Sequence, residues 1–204
     1  SYARKIVKRY TDRPDFWQNH SVVEDALELA KPLVDSVQLW FGEKIIMKIY
    51  YIKKDKFLKT IDRKELEKFS DGRIYKSESK YLEHLIGLYL AKTVAQKYYG
   101  IKDTTIILKN KKPVFKNGEI CFSISHSRNL AVVAFSQNNI GADVEYMAQR
   151  DFKSLLERYD IHIENPTKYD FYKFWTKYES GIKLGTESKS DYSTIIEDNY
   201  ALSC

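Results

Sequence analysis

The sequence has few of the residues that cross-link, stiffen or interrupt a chain. Its 204 residues include two cysteines, four prolines and eight glycines. Two cysteines cannot supply a disulfide framework, and Cys121 and Cys204 are too far apart to show metal-ligand spacing. This cysteine usage is typical of a protein of the reducing cytoplasm, which is what we expect. The low glycine and proline content excludes a collagen-like chain.

Long hydrophobic runs are also missing. No stretch approaches 18 uncharged apolar residues, so the sequence predicts no transmembrane helix. The N-terminal residues are charged and lack the apolar segment of a signal peptide. Hydrophobic residues make up 43% and charged residues 30% of the chain, which are values of ordinary globular proteins. The length suffices for a sizeable core in one domain or two small ones.

The charge is unevenly distributed. The formal net charge is +6, but residues 47–125 carry 18 basic and nine acidic side chains, and residues 126–204 carry nine basic and 12 acidic ones. A basic middle and an acidic end favour a phosphate-rich ligand on one side and a cation or basic partner on the other. Solvated lysines on helix faces are the alternative. No basic–aromatic motif or recognition helix is visible, so nucleic-acid binding is not favoured.

Hydrophobic spacing predicts an α+β fold in three parts. In residues 1–46, apolar residues recur every three or four positions up to Trp40, which predicts a helical N-terminal extension that ends at Gly42. Residues 47–136 and 137–204 are predicted to form an N-terminal and a C-terminal lobe. Strands are predicted at 47–52, 104–108, 121–125, 131–136, 140–146, 193–196 and 200–203, helices at 59–73, 81–99, 150–159 and 168–184, and a hairpin turn at Asn117–Gly118 after residues 111–115.

The first candidate for chemistry is the pair Asp143 and Glu145 on a predicted strand. Alternate residues of a strand face the same way, so these two carboxylates share a face while Ala142 and Val144 face the core. Two close carboxylates repel each other unless a cation lies between them, and oxygen-only ligands suit Mg²⁺. The alternative is an exposed edge with two solvated acids.

The second candidate is the adjacent pair Ser125 and His126. Neighbouring residues of a regular strand point to opposite faces, so the two cannot be a nucleophile and its base, which argues against hydrolase chemistry. A histidine beside hydroxyl groups and followed by Arg128 is suited to phosphate binding. A structural histidine at the end of a strand is the alternative.

The third candidate is the predicted helix over 168–184. Its aromatic and aliphatic residues Phe171, Trp175, Tyr178 and Ile182 have the spacing of one apolar stripe. Glu179 and Lys183 are four residues apart and therefore adjacent on the helix. They could serve as a base and a stabilising charge, or form an ordinary surface ion pair.

In their order, these segments resemble the 4′-phosphopantetheinyl transferase superfamily, specifically the surfactin-synthetase-activating type. The matching segments are a lysine–proline turn at 111–113, the strand with Ser125 and His126, the Gly-Ala-Asp-Val-Glu strand at 141–145, and the helix from Trp175 to Lys183. The resemblance spans residues 47–204 and also includes the helix around Gly87.

The resemblance implies a fold and an activity. The fold would be two pseudo-twofold-related lobes, each a small antiparallel sheet with a packed helix, with coenzyme A in the cleft between them. The enzyme would move the phosphopantetheine arm of coenzyme A to a serine of an acyl or peptidyl carrier protein, with Mg²⁺ as cofactor. Carrier proteins are acidic, so the basic segment or the basic N-terminal arm would steer the partner. A monomer is expected.

Site residues follow from the resemblance position by position. Asp143, Glu145 and Glu179 would hold Mg²⁺, and Glu179 would also be the base that deprotonates the incoming serine. Lys183 would stabilise charge on the leaving phosphate, and His126 would complete the catalytic set. The residues implied to contact coenzyme A are Lys111, Lys112, Pro113, Ser125, His126 and Lys183.

Three features depart from the family pattern. Tyr178 stands where the family has a lysine, Glu83 stands where it has an arginine, and the segment between Lys183 and Tyr200 is short. They raise an alternative function, a transferase-like module that binds coenzyme A or a carrier protein without turnover.

Overall fold

The computed structural model describes residues 35–41, 44–110, 112–185 and 192–204 of the chain. The strands are β1 (Asp35–Phe41), β2 (Lys44–Lys53), β3 (Ile106–Lys109), β4 (Lys112–Phe115), β5 (Cys121–Ser127), β6 (Leu130–Ser136), β7 (Asp143–Tyr146), β8 (Ser193–Ile196) and β9 (Tyr200–Ser203). The helices are α1 (Lys54–Phe57), α2 (Arg63–Glu67), α3 (Glu78–Tyr99), α4 (Phe152–Glu157) and α5 (Lys168–Leu184). Within these ranges, no helix is long and apolar enough to cross a membrane.

The larger sheet is antiparallel and has the strand order β1-β2-β6-β5. Both faces of β2 are buried: Tyr50 and Ile52 contribute to one core, and Ile49 and Tyr51 to another. Strand β6 is also buried on both faces, which explains why residues 130–135 are an unbroken apolar run.

Helix α3 covers one face of this sheet. It packs the side chains of Leu85, Ile86 and Leu90 against the apolar residues of β2 and β6. Gly100 ends the helix in the left-handed conformation, with φ of 66°. Gly87 allows the close approach of helix and sheet, because a Cβ atom there would lie 2.7 Å from Cγ2 of Ile124 in β5.

The smaller sheet has the strand order β7-β9-β8 and is also antiparallel. Its inner face, with Val144 and Leu202, shares a core with Ile49 and Val132 of the larger sheet. Helix α5 packs on the outer face through Phe171 and Tyr172. The molecule is therefore an α+β structure of four layers, in which two antiparallel sheets face each other and each has a long helix on its outer side.

Helix α5 is fixed at both ends. Thr167 and Asp170 form a capping box, in which each side chain accepts a hydrogen bond from the other residue's backbone N–H. Near its C-terminal end the helix backbone lies directly on Gly141, where a Cβ atom would lie 2.0 Å from the Ser180 carbonyl oxygen and 2.6 Å from the Leu184 nitrogen. Only glycine fits at position 141 without moving the helix.

Most of the predicted elements are confirmed. The strands predicted at 47–52, 121–125 and 131–136 lie within β2, β5 and β6, and those at 193–196 and 200–203 are β8 and β9. The helix predicted over 81–99 lies within α3, and α5 has the predicted bounds 168–184. Strand β7 and helix α4 are shorter than predicted.

Three predictions of local structure are wrong. The predicted N-terminal helix reaches Trp40, but residues 35–41 form β1; the rest of that helix lies outside the described residues. Val37, Leu39 and Phe41 also alternate, and pairing with β2 decides in favour of the strand. The segment 59–73, predicted as one helix, contains only the five-residue helix α2.

The predicted hairpin turn at Asn117–Gly118 does not join two paired strands. Strand β4 pairs with β3, and Asn117–Gly118 leads from β4 to β5 in another sheet. The predicted boundary at residue 46 falls inside β2.

Candidate functional site

A ladder of serines joins the two sheets at the edge of β7. Ser123, Ser125 and Ser127 alternate along β5, so their hydroxyl groups face the same side. Each accepts a hydrogen bond from a backbone N–H of the β7 segment. The donors are the N–H groups of Ala142, Val144 and Tyr146, at 2.9, 3.2 and 3.0 Å. Serine side chains of the larger sheet thus accept hydrogen bonds from N–H groups of β7, the edge strand of the other sheet, that are not bonded to its neighbour β9.

Asp143 lies at the centre of this junction and is 5% exposed. Its Oδ1 accepts hydrogen bonds from Lys183 Nζ at 2.7 Å and from Ser125 Oγ at 3.0 Å. Its buried Oδ2 has no hydrogen-bond partner among the described residues. A buried carboxylate oxygen without a partner is energetically costly.

Glu145 and Glu179 lie close enough to Asp143 to be influenced by its charge. Burial raises the pKa of Glu145; a hydrogen bond from Ser127 at 2.8 Å opposes this change, and the charge of Asp143 adds to it. Burial also raises the pKa of Glu179, and Asp143 again adds to the effect while Lys183 opposes it. The three predicted metal ligands therefore share one electrostatic environment with Lys183.

The oxygen-only donor set and the unpartnered Oδ2 of Asp143 fit a hard divalent cation such as Mg²⁺ in their chemistry. In the described part of the chain, however, no three or more His, Cys, Asp or Glu side chains are grouped so that they could hold a metal ion. In the arrangement observed, the ammonium group of Lys183 supplies the positive charge beside Asp143.

The predicted coenzyme A contact Lys112 is bonded within the protein. Lys112 Nζ donates hydrogen bonds to Asn139 Oδ1 at 2.5 Å and to the Ile140 carbonyl oxygen at 2.6 Å, and burial lowers its pKa. Asn139 in turn donates to the Leu184 carbonyl at the end of α5. Pro113 lies in β4, paired with Leu108, and Lys111 lies outside the described residues.

His126 lies on the opposite face of β5 from Ser125, as the alternation predicts. Its side chain is 39% exposed, and Nδ1 is 3.4 Å from Oε2 of Glu83 on α3. Glu83 Oε1 is also 2.5 Å from Lys54 Nζ. Burial lowers the pKa of His126, and the positive charges of Lys54 and Lys183 add to this effect. From the sequence, Glu83 is recognisable only as a departure from the family pattern, and its contacts with Lys54 and His126 are not predicted.

The predicted apolar stripe of α5 is only partly buried. Phe171 is buried, but Tyr178 and Ile182 are 43% and 56% exposed. The face that lies on the sheet includes Tyr172, Thr176 and Ser180 instead. Two aromatic residues of the stripe, Trp175 and Tyr178, pack with Tyr159 at the surface.

A cavity of about 370 Å³ opens between α4 and α5, beside Glu145. Besides Glu145, two arginines, two tyrosines, a tryptophan, a leucine and a phenylalanine line it: Arg150, Arg158, Tyr159, Tyr172, Trp175, Leu155 and Phe171. Sequence reasoning missed this cavity and the serine ladder. The spacing of Ser123, Ser125 and Ser127 on one strand is the signal that could have revealed the ladder.

No protein-family model matches this chain, and no significant match exists among curated proteins.

Proposed function

We propose that the protein is a Mg²⁺-dependent phosphopantetheinyl transferase, which moves the phosphopantetheine arm of coenzyme A to a serine of an acyl or peptidyl carrier protein. The observation that carries the proposal is the ion pair between Lys183 and the buried Asp143 where β7 contacts α5, with Glu145 and Glu179 near enough to be influenced by the charge of Asp143. The order of the four sequence segments supports the same function.

The proposed chemistry is a phosphoryl transfer. The carrier serine hydroxyl attacks the phosphorus next to the pantetheine arm, a new P–O bond forms, and the bond to adenosine 3′,5′-bisphosphate breaks. Glu179 accepts the serine proton, a role favoured by the raised pKa of its carboxyl group. Lys183 stabilises negative charge on the leaving phosphate. Asp143, Glu145 and Glu179 would hold Mg²⁺, which when bound neutralises charge on the phosphate oxygens.

The remaining assignments belong to the same proposal. Coenzyme A would bind between the two lobes, with the exposed ring of His126 as a contact. The acidic carrier protein would be attracted by residues 47–125, which carry a net charge of +9. The enzyme would work as a monomer in the cytoplasm.

A second candidate is a module that binds coenzyme A or a carrier protein without turnover. The observation that favours it is that the described residues contain no group of three or more side chains that could hold a metal ion.

Incubation with coenzyme A, Mg²⁺ and several apo carrier proteins, followed by intact-mass measurement of the carrier, distinguishes the two functions. The transferase adds one phosphopantetheine mass to a carrier, and Glu179→Gln abolishes that gain. Glu157→Gln, the same change at an exposed position of α4, is the matched control and keeps full activity. Coenzyme A binding in calorimetry with no mass gain on any carrier would establish the binding module, and unimpaired transfer by Glu179→Gln would refute the assigned base.

A further inference from the structure

The hydroxyl group of Ser125 has three protein partners. It donates a hydrogen bond to Asp143 Oδ1 at 3.0 Å and accepts one from Lys183 Nζ at 3.0 Å and one from the Val144 N–H at 3.2 Å. A serine hydroxyl has one donor and two acceptor positions, so these contacts use its whole capacity. Ser125 is also 4% exposed, which leaves its oxygen little access to a ligand.

These contacts form a closed triangle, because Lys183 Nζ also donates to Asp143 Oδ1 at 2.7 Å. Ser125 comes from β5, Asp143 from β7 and Lys183 from α5, so one hydroxyl joins one strand of each sheet to a helix. The lysine side chain is long and has several rotatable bonds, and two acceptors at fixed positions restrict where its ammonium group lies.

We propose that Ser125 is a positioning residue. It holds the ammonium group of Lys183 and the carboxylate of Asp143 in a fixed position relative to each other and makes no contact of its own with coenzyme A. The kinetic part of this proposal rests on the proposed transferase function, whereas the structural part does not. It reassigns a residue that the family resemblance places among the coenzyme A contacts.

Ser123 offers a matched control within the same ladder. Its hydroxyl accepts a hydrogen bond from the Ala142 N–H at 2.9 Å, and Ser123 is 5% exposed, much like Ser125. No ion pair or charged side chain is among its hydrogen-bond partners in the described part of the structure. Ser123→Ala therefore removes a ladder contact alone, whereas Ser125→Ala removes a ladder contact together with the support of two charged groups.

The first experiment measures urea unfolding midpoints of Ser125→Ala, Ser123→Ala and Lys183→Met, and of the two double variants with Lys183→Met. The decrease in stability caused by Ser125→Ala is expected to be smaller in the Lys183→Met background than in wild type. The decrease caused by Ser123→Ala is expected to be the same in both backgrounds. Additive losses for both serines would overturn the proposal, whether or not the protein is a transferase. If a double variant does not fold, the affinity of the single variants for coenzyme A decides.

The second experiment compares the transfer kinetics and coenzyme A binding of Ser125→Ala with those of Ser123→Ala and wild type. Misplaced Lys183 and Asp143 are expected to lower kcat by roughly ten- to a hundredfold, a larger effect than any on KM and Kd for coenzyme A, because Lys183 acts mainly on charge that develops in the transition state. Ser125→Thr, which keeps the hydroxyl, restores kcat in part. A weaker affinity for coenzyme A with unchanged kcat would show that Ser125 contacts the substrate and would overturn the proposal.

Discussion

The two long helices meet their sheets in different ways. Helix α3 buries large apolar side chains such as Leu85, Leu90 and Val94, most of them almost completely. Helix α5 instead presents Thr176 and Ser180 to its sheet and lies with its backbone on Gly141. The first interface is a conventional hydrophobic core, and the second combines close backbone contact with buried hydroxyl groups.

The difference explains where the charged groups lie. Thr176 Oγ1 is 2.7 Å from Ser203 Oγ, which is 2.9 Å from Ser193 Oγ, so buried polar groups in the second interface satisfy one another. Because α5 lies so close to β7, Lys183 reaches Asp143. The interface of α3 thus buries mainly apolar side chains, whereas the interface of α5 brings Lys183 to Asp143 in the candidate site.

Gly141→Ala is expected to have the largest effect. The added methyl group would overlap backbone atoms of Ser180 and Leu184, so α5 cannot keep its place and the protein should lose cooperative unfolding. Gly87→Ala is the matched change in α3, where the contact is the side chain of Ile124, which can shift; we expect a cost of about 1–3 kcal/mol. Chemical denaturation measures both, and near-wild-type stability of Gly141→Ala would contradict the described contact.

Leu90→Ala and Thr176→Val test the two kinds of interface. Leu90→Ala leaves a cavity in the apolar core and is expected to cost about 2–5 kcal/mol of unfolding free energy. Thr176→Val keeps the shape but removes a hydroxyl that bonds Tyr172 O and Ser203, and we expect a loss of about 1–3 kcal/mol. Urea titration gives both values, and an equal or larger loss for Thr176→Val would reverse the comparison.

Glu145→Gln is expected to stabilise the protein in a pH-dependent manner. Burial raises the native pKa of Glu145 above the ordinary value of 4.5, so the native state favours the protonated form. That stabilising contribution is present below pH 4.5 and is lost as the pH rises through the native pKa. The neutral variant should therefore be more stable than wild type at pH 8, by an amount that vanishes in acid. Thermal unfolding across this range measures the difference, and a Glu145→Gln variant no more stable than wild type at pH 8 would contradict the prediction.

Glu83→Gln is expected to have the smallest effect, a few-fold tighter binding of coenzyme A. The substitution releases Lys54 from its ion pair and removes a negative charge beside His126, so the surface around these two residues becomes more attractive to phosphate groups. Calorimetry at low and high salt measures the change, which should diminish at high salt. Glu119→Gln, the same charge change at an exposed residue before β5, should have no effect; unchanged affinity in Glu83→Gln would separate this pair from the ligand site.

The sequence predicted the elements in which one period dominates. Helix α3 and strands β5, β6, β8 and β9 have clear apolar spacing, and the structure agrees. Residues 35–41 satisfy a helical and a strand period at once, and only the pairing partner, β2, decides between them. Similarly, Asn117–Gly118 is a genuine turn, but local sequence cannot say that β4 pairs with β3 rather than with β5.

Within the candidate site, the sequence predicted which side chains share a face of a strand, but it did not predict their hydrogen-bond partners. The shared face of Asp143 and Glu145 follows from strand alternation, and the structure confirms it, since Ala142 and Val144 lie in the central core. The bond between Lys183 and Asp143 does not follow, because the helical spacing of Lys183 points first to Glu179. It depends on how closely α5 approaches β7, a distance that Gly141 determines.

The serine ladder also makes the junction between the two sheets observable. The amide protons of Ala142, Val144 and Tyr146 are bonded to hydroxyl oxygens of the other sheet rather than to a neighbouring strand. Their exchange with deuterium therefore requires the sheets to separate locally, whereas exchange in β6 requires the larger sheet itself to open. These three amides are natural probes of sheet separation, and a ligand that bridges the two sheets would slow their exchange together.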